Sequence, residues 1–324
     1  IALSRAVDLV VVAPATADLM ARVAGGHADD LASRLMMASA ARVLIAPAMN
    51  ARMWQHPATQ RNLARLQADG VLVVGPDGDG LGCAEGGRMA GSAAIMSAVA
   101  SVLDGGPLRG RHVLVTSGPT HEPIDPVRYI ANRSSGAQGA ALAAALRDLG
   151  ARVSFVTGPA SVAPPAGVTV IRVETARQML EAALTALPAD AAVFAAAVAD
   201  WRVLHEAGQK LKKGAGGLPV LEFAENPDVL ATVSRHAQRP ALVVGFAAET
   251  ENVIAHAQAK RLRKGCDWIV ANDVSPATGI MGGDENAVHL ITAAGVEDWP
   301  RQPKAEVARR LAGRIAAHLT EPAE

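Results

Sequence analysis

The 324-residue sequence has only two cysteines, few aromatic side chains and no excess charge of either sign. Cys83 and Cys266 lie too far apart in sequence to suggest a disulfide framework, and such sparse use fits a reducing cytoplasm. The 31 basic and 31 acidic residues balance, which argues against nucleic acid or an anionic membrane as a partner. No uninterrupted apolar run reaches the roughly 18 residues of a membrane-spanning helix. We therefore expect a cytoplasmic protein that binds neither nucleic acid nor membrane.

Small and aliphatic residues dominate the composition instead. Hydrophobic residues make up 50% of the chain and aromatic residues 3%, so alanine, valine, leucine and isoleucine must form the cores. At roughly 100–200 residues per domain, the length predicts two domains. The chain begins with Ile1 rather than methionine and runs straight into strand-like sequence. We interpret it as a piece of a longer protein whose first part is missing.

Short apolar runs alternate with amphipathic stretches along the whole chain. Near-continuous apolar runs indicate strands buried on both faces, as in parallel sheets covered by helices, so we predict an α/β fold with two doubly wound, Rossmann-like domains, the first a truncated flavoprotein-type domain. The predicted strands are Leu9–Ala13, Val43–Ala46, Val71–Val74, Val113–Thr116, Arg152–Thr157, Thr169–Val173, Ala192–Ala196, Ala241–Phe246 and Trp268–Ala271, with an edge strand at Ala287–Thr292. The predicted helices are Ala28–Ala40, Ala58–Asp69, Ala93–Leu103, Gly139–Leu149, Ala176–Leu187, Pro227–His236, Asn252–Lys264 and Lys304–Leu319.

A stretch containing glycine and proline, Asp104–Gly110, separates the two halves of this pattern. It ends the preceding helix, and a new strand–helix series begins at Arg111. We therefore predict one domain over residues 1–106 and a second over residues 107–324. In open α/β sheets, ligands bind beyond the carboxyl ends of the strands, and the motifs of both halves lie there.

Two motifs of the first half directly follow predicted strands. Ala13–Ala17 (APATA) has small residues that let a planar ligand approach the backbone, and Thr16 can bind that ligand or simply cap the next helix. Pro47–Trp54 (PAMNARMW) places Asn50 at a strand end. Its amide can hold a carboxylate or amide group, or Asn50 can be an ordinary turn residue. The residues alone leave both alternatives open.

A third segment, Asp77–Met89 (DGDGLGCAEGGRM), is rich in glycine and carries Cys83. Such a loop can be a lid that delivers a proton, or the cysteine can be a small buried side chain. Together the three segments resemble the flavin-dependent phosphopantothenoylcysteine decarboxylases over residues 1–100. The resemblance implies that Thr16 lines a bound FMN, that Asn50 grips the substrate and that Cys83 protonates an enethiol intermediate. It also places the family's catalytic histidine before Ile1, so we expect this chain not to decarboxylate.

Polar groups also follow predicted strands in the second half. Asn132–Gly139 (NRSSGAQG) opens a helix with small residues whose backbone N–H groups can bind an anion, although such glycine-rich turns are common. Asp200 in FAAAVADW can hold Mg²⁺ beside phosphates or cap a helix. The cations of KLKK, Lys210 among them, can clamp a triphosphate or form a solvated basic loop.

Three further features follow along the chain. Asn226–Val229, within ENPDVL, forms a turn into a helix, and Phe246 in GFAAET offers an apolar face for a base or fills a core. Lys260 and Lys264 are one helical turn apart and can reach a phosphate or stay on the surface. Neither a Walker A loop nor a G-x-G-x-x-G motif follows Val113–Thr116, so no standard ATP or NAD site is indicated.

These motifs resemble those of the phosphopantothenate–cysteine ligases, in the same order. The first matching motif is Gly118–Arg128 (GPTHEPIDPVR) and the last is VANDVS. The resemblance as a whole covers Arg111 to about Leu290. So many ordered motifs are very improbable by chance. The resemblance therefore implies a nucleotide site for CTP in the second half.

The resemblance also implies a role for each matching residue. Lys210, Lys260 and Lys264 would contact the phosphates of CTP, and Asp200 would bind the nucleotide through Mg²⁺. Asn132 would bind the acyl-cytidylate or pantothenate group, and with Lys210 it is an expected catalytic residue. The remaining residues would surround the nucleotide: Phe194, Ala195, Ala196, Asn226, Pro227, Asp228, Val229 and Phe246.

The two resemblances together imply a bifunctional enzyme of coenzyme A biosynthesis. The ligase half would join 4′-phosphopantothenate to cysteine through an acyl-cytidylate, and the decarboxylase half would convert phosphopantothenoylcysteine to 4′-phosphopantetheine with FMN. They also imply a homo-oligomer with dimeric ligase domains, trimeric decarboxylase domains and a dodecamer of the intact enzyme. Two alternatives rank lower: a flavoprotein-like binding subunit without activity, and an NAD-dependent dehydrogenase.

Overall fold

The computed structural model describes residues 4, 6–76, 87–103, 105–212, 219–275, 278–280 and 283–320. The chain divides into two compact units, Ile1–Gly106 (unit 1) and Pro107–Glu324 (unit 2). Among the described helices, none is both long and apolar enough to cross a membrane.

Unit 1 is built on a parallel sheet whose described strands follow the order β1-β2-β3. Its core contains mostly aliphatic side chains and methionines, including Met20, Ile45 and Leu66. The strands are β1 (Leu9–Ala15), β2 (Arg42–Pro47) and β3 (Leu72–Val73), and the helices are α1 (Ala17–Ala24), α2 (Leu31–Ala38), α3 (Ala51–Gln55), α4 (Pro57–Ala68) and α5 (Ser92–Leu103).

Unit 2 contains a large sheet and two small hairpins. Its described strands are β4 (His112–Ser117), β5 (His121–Asp125), β6 (Arg128–Ala131), β7 (Arg152–Thr157), β8 (Thr169–Arg172), β9 (Ala191–Phe194), β10 (Trp201–Val203), β11 (Phe223–Glu225), β12 (Leu242–Glu249), β13 (Trp268–Asp273), β14 (Glu285–Ile291) and β15 (Val296–Pro303). Its helices are α6 (Ala137–Asp148), α7 (Ala176–Thr185), α8 (Val229–Ser234), α9 (Val253–Lys264) and α10 (Lys304–Thr320).

The strand order of the large sheet is β15-β14-β13-β12-β9-β4-β7-β8. The strands from β13 to β8 in that order are parallel, whereas β14 and β15 pair antiparallel at one edge. Numbered by their place in the chain and read from β8 to β13, the parallel strands have the doubly wound order 3-2-1-4-5-6. The order changes direction between β4 and β9, and ligands of such folds bind at that switch point.

Side chains of the central strands alternate between two cores. Val113 and Val115 pack on the face covered by α6 and α10, whereas Leu114 packs on the face covered by α7, α8 and α9. Burial on both faces explains why these strands are almost continuously apolar.

Most predicted elements are present, and the differences have local causes. The helix predicted at Ala28 begins at Leu31, because Asp30 caps it by accepting from the N–H of Ser33 at 2.8 Å. Similarly, Asp228 caps α8 and delays its start to Val229. The prediction missed α1, α3, β15 and the hairpins β5–β6 and β10–β11, whose short strands lack a clear alternation of apolar and polar residues.

Candidate active site

A cavity of about 400 Å³ lies at the carboxyl ends of β4, β9 and β12, beside the switch point. The end of β9 and the middle of β12 contribute Phe194 and Phe246, while helix α9 contributes two lysines. The cavity therefore combines aromatic surface with cationic and amide groups. Its lining consists of Thr116, Phe194, Ala196, Val198, Ala199, Asp200, Trp201, Glu225, Asn226, Pro227, Asp228, Val229, Leu230, Phe246, Lys260 and Lys264.

The cavity brings together most of the residues expected to surround a nucleotide. Ala195, Lys210 and Asn132 are not in its lining. Ala195 is nevertheless adjacent, since its N–H donates to the carbonyl of Thr116 at 3.1 Å. Asn132 lies at the rim, because its Nδ2 donates to the carbonyl of Val198 at 2.9 Å. Lys210 is exposed on the loop after β10.

Two side chains of the cavity pair with each other. Oδ1 of Asp228 accepts from the N–H of Ala231 at 2.9 Å, and Oδ2 forms an ion pair with Nζ of Lys264. Burial opposes ionisation of Asp228, but the hydrogen bonds from Lys264 and Ala231 outweigh it and hold the pKa of the carboxyl below its usual value. One of the two cavity lysines that are expected to bind phosphate is thus already paired with a carboxylate.

Lys260 lies one turn before Lys264 on the same helix and is half-buried. Burial lowers the pKa of its amine, and the negative charges of Glu249 and Asp200 only partly oppose this. Since Glu249 also lies 3.6 Å from Nδ1 of His256, its carboxylate is shared between two basic groups. Lys260 is therefore a cation whose charge the protein incompletely compensates, and an additional anion would stabilise it.

Hydrogen bonds fix the loop between β9 and β10 from two sides. Asn226 donates from Nδ2 to the carbonyl of Ala199 at 2.9 Å and from its backbone to the carbonyl of Asp200 at 2.8 Å. On the other side, Oγ1 of the buried Thr120 accepts from the N–H of Ala199 at 3.0 Å. Both ENPDVL and GPTHEPIDPVR therefore support the backbone that carries Asp200.

The serine hydroxyls of NRSSGAQG accept hydrogen bonds from backbone N–H groups that could otherwise bind an anion. Helix α6 begins after Gly136, which adopts a positive φ of 78°. Ser134 and Ser135 accept from the N–H groups of Gly136 and Ala137 at 3.3 Å each. An anion at this turn would have to compete with those hydroxyls.

In unit 1, the predicted site residues cap helices. Oγ1 of Thr16 accepts from the N–H of Leu19 at 3.2 Å, and Oδ1 of Asn50 accepts from the N–H of Arg52 at 2.9 Å. Both side chains are exposed and keep a hydrogen-bond donor free of these capping bonds. Capping and ligand binding are therefore compatible at both positions.

Cys83 lies outside the described residues, but Gly87, four residues later, contacts Met49, the neighbour of Asn50. The carbonyl of Gly87 accepts from the N–H of Met49 at 3.0 Å. A Cβ on Gly87 would lie 2.1 Å from the carbonyl oxygen of Met49, so only glycine permits this contact. The second cysteine, Cys266, is buried in unit 2, and burial raises its pKa to about 11.

Both units of the chain are similar to known proteins. Residues 1–104 match the family described as flavoprotein, and residues 108–319 match the DNA/pantothenate metabolism flavoprotein C-terminal domain. The chain is 42% identical over 328 residues to the coenzyme A biosynthesis bifunctional protein CoaBC of Escherichia coli K12, covering 99% of this chain and 80% of that protein. It is 44% identical over 336 residues to CoaBC of Mycobacterium bovis, covering 98% and 80%. The chain belongs to the CoaBC family.

A crystal structure of the C-terminal domain of a CoaBC protein superposes with a TM-score of 0.57 and 36% identity, covering 67% of this chain and 99% of that chain. Membership of the CoaBC family confirms the α/β fold and the predicted bifunctional enzyme of coenzyme A biosynthesis, with a flavoprotein decarboxylase half and a ligase half. It sets aside both the dehydrogenase and the binding subunit without activity.

The cavity also contains residues that the sequence patterns did not single out as ligands. Thr116 is the buried penultimate residue of β4, and Trp201 and Glu225 lie on the unpredicted β10–β11 hairpin. Trp201 is 53% exposed and packs edge-on against Phe223 with ring centroids 5.6 Å apart. The aromatic residue directly after Asp200 was a signal in the sequence, but without the hairpin it could not be placed at the cavity.

A metal site made of protein side chains alone is not evident. Within the described residues, no group of three or more His, Cys, Asp or Glu side chains is arranged to hold an ion. Asp200 is exposed at the cavity and offers a single carboxylate. Such a position suits Mg²⁺, which usually retains water and binds through one or two carboxylates plus substrate phosphates.

Proposed function

We propose that unit 2 uses CTP and Mg²⁺ to activate 4′-phosphopantothenate for ligation to cysteine, and that the switch-point cavity is the nucleotide site. The observation that supports this proposal is the convergence of two phenylalanines, two lysines and the exposed carboxylate of Asp200 in that cavity. Aromatic faces accommodate a base, while lysines neutralise phosphates. Residues far apart in sequence would have no other evident reason to combine these chemistries at one place.

The chemistry requires an activated carboxyl group, because a carboxylate is a poor electrophile at neutral pH. A carboxylate oxygen of 4′-phosphopantothenate attacks the α-phosphorus of CTP, the bond to the bridging oxygen breaks, and pyrophosphate leaves. The amine of cysteine then attacks the acyl carbon of the acyl-cytidylate. CMP leaves, one proton is lost, and the amide of phosphopantothenoylcysteine remains.

Each residue of the cavity would serve this reaction through binding and charge. Phe194 and Phe246 would pack on the nucleotide, with Ala195, Ala196 and the segment Asn226–Val229 around it. Lys260 and Lys264 would contact the phosphates, which would replace Asp228 as the partner of Lys264. Preorganised cations of this kind stabilise the charge that develops on the phosphates during transfer.

Three groups would complete the site. Asp200 would hold Mg²⁺, which when bound neutralises charge on the phosphates. Asn132, at the rim beside Val198, would bind the acyl or pantothenate group through its free carbonyl oxygen. Lys210 would reach the phosphates from the loop after β10.

For unit 1 we propose a flavin site at APATA and a substrate site at Asn50. Thr16 can donate its hydroxyl hydrogen to FMN, and Ala13 and Pro14 beside it are exposed and small. FMN supplies a two-electron acceptor for oxidising the thiol of phosphopantothenoylcysteine. The amide N–H groups of Asn50 would hold a carboxylate or amide of the substrate, and Cys83 would donate a proton to the enethiol.

The ligase assignment is tested by measuring pyrophosphate release with 4′-phosphopantothenate, cysteine and Mg²⁺. We expect release with CTP and much less with ATP. Lys210→Ala should reduce the rate about 100-fold or more, as loss of a cation that acts on the transition state typically does. Pyrophosphate is measured by a coupled assay under steady-state conditions.

The control is Lys304→Ala, since Lys304 binds the carbonyl of Gly283 and does not line the cavity. This variant should keep the rate of the parent chain. Folded protein that releases no pyrophosphate with either nucleotide would contradict the assignment, and an unaltered rate in Lys210→Ala would contradict the role of that lysine.

A further inference from the structure

The loop that carries Lys210 is fastened to a second hairpin by one buried carboxylate. Asp125 ends strand β5, and its side chain is 0% exposed. Oδ1 accepts from the N–H groups of Val127 and Arg128 at 2.9 Å each. Oδ2 accepts from Nε of Arg128 at 3.0 Å, from its Nη2, and from the N–H of Leu211 at 3.1 Å.

Arg128 completes the attachment by binding the carbonyl group of Leu211. Its Nη2 donates to the carbonyl of Leu211 at 2.9 Å. Both backbone polar groups of Leu211 are thus held, one by Asp125 and one by Arg128. Four residues earlier, the N–H of Ala207 donates to the carbonyl of Ile124 at 3.0 Å, so the loop is attached to β5 at two points.

Leu211 is flanked by Lys210 and Lys212, which are both exposed. A lysine on a free loop would lose backbone and side-chain entropy when it binds a phosphate. Fixing the backbone of Leu211 removes part of that cost before the ligand arrives, which is the general benefit of preorganisation.

We propose that Asp125 is a positioning residue of the ligase, which holds Lys210 in place for the nucleotide by anchoring Leu211. The inference rests on the proposed function, because it takes Lys210 to be a phosphate ligand. Asp125 itself touches no substrate and acts through the loop. Its pKa is held far below the ordinary value by the hydrogen bonds of Arg128, despite the burial that opposes ionisation, so the anchor stays charged throughout the neutral range.

The geometry also explains why the anchor must be a carboxylate. Five N–H groups converge on its two oxygens. Asparagine has the same size but would turn an NH₂ group towards one set of these donors. Asp125→Asn therefore preserves the packing and removes at least two of the hydrogen bonds, which makes it the appropriate variant.

The experiment is a double-mutant cycle on the dissociation constant of CTP, measured by calorimetry on the full chain. Asp125→Asn and Lys210→Ala should each raise the constant about tenfold, the effect of one charge-assisted contact. The double variant should bind no worse than Lys210→Ala alone, because both changes remove the same contact. Equal weakening by Asp125→Asn in both backgrounds, or no weakening at all, would overturn the proposal.

Asp190→Asn is the matched control. Asp190 also accepts from an arginine and a backbone N–H, those of Arg111 and His112, at the amino end of β4. It should leave the affinity for CTP unchanged. If Asp125→Asn fails to fold, Arg128→Lys keeps the charge but removes the guanidinium group that binds both Asp125 and the carbonyl of Leu211, and the same cycle with Lys210→Ala decides the question.

Limited trypsin digestion separates failure of this inference from failure of the proposed function. Cleavage after Lys210 should be several-fold faster in Asp125→Asn than in the parent chain or Asp190→Asn, whether or not CTP binds. If cleavage is faster in Asp125→Asn but the parent chain does not bind CTP, the role of Asp125 as an anchor is supported and the nucleotide site is refuted. Unaltered cleavage would refute the anchor.

Discussion

At the scale of single residues, the two lysines of α9 occupy different electrostatic environments. Lys264 has Asp228 as an ion-pair partner, whereas Lys260 is half-buried and its pKa is lowered by burial. Two neighbouring cations at one site therefore need not respond alike to pH or to substitution.

The lowered pKa of Lys260 predicts an early loss of affinity on the alkaline side. As the pH rises through that pKa, the amine loses its charge and its attraction for phosphate. Binding of CTP should therefore weaken at a pH below the ordinary lysine value of 10.5. In Lys260→Arg the side chain stays charged, so the decline should move to higher pH. Dissociation constants measured between neutral and alkaline pH test this, and coincident profiles for the two proteins would contradict it.

At the scale of elements, a glycine directly after β7 allows two turns beside the cavity to approach each other closely. A Cβ on Gly158 would lie 1.7 Å from the carbonyl oxygen of Pro119. Pro119 precedes Thr120, which holds the backbone of Ala199 at the cavity. The close approach of these two turns is therefore a condition for the shape of the site.

Gly158→Ala should displace the GPT turn and lower both stability and pyrophosphate release. We expect a loss of about 1–3 kcal/mol in the free energy of unfolding, as for other overpacked sites. Gly313→Ala is the control, because Gly313 is exposed in α10 and a Cβ there meets nothing within 4 Å. That variant should be stabilised by about 0.5–1 kcal/mol. Urea unfolding measures the stability of both variants. A Gly158→Ala variant as stable as the parent chain would contradict the role of Gly158.

The elements that could be predicted from sequence are those with a strong apolar period. The buried strands β4, β7 and β9 and the amphipathic helix α10 were predicted with small errors at their ends. The hairpins β5–β6 and β10–β11 were missed, since strands such as HEPID and WRV are too short and polar to show a period. Trp201 and Glu225 of the cavity were missed with them. The pairing of Asp228 with Lys264 could not be predicted from the sequence either, because it depends on how α8 and α9 pack against each other.

At the scale of the whole molecule, each unit has its own hydrophobic core. The core of unit 1 contains Met20 and Leu66, and those of unit 2 contain Leu114 and Leu311, with the division at Gly106. Cores that share no residues predict independent folding.

A fragment of residues 107–324 should therefore fold and release pyrophosphate at the rate of the full chain. Its thermal unfolding should match one transition of the full chain, since cooperative units unfold separately when their cores are separate. Calorimetry and the pyrophosphate assay check both statements. A fragment that is folded but inactive would show that residues of unit 1 contribute to the ligase site.

The ion pair between Asp228 and Lys264 has a consequence for how the nucleotide arrives. The chain carries 31 basic and 31 acidic residues, so it creates little long-range field to steer an anion. With Lys264 already paired with Asp228, only Lys260 of the two cavity lysines presents an incompletely compensated charge to a triphosphate. The association rate of CTP should then depend weakly on ionic strength, and selection among anions takes place after encounter, when a phosphate exchanges with the carboxylate of Asp228.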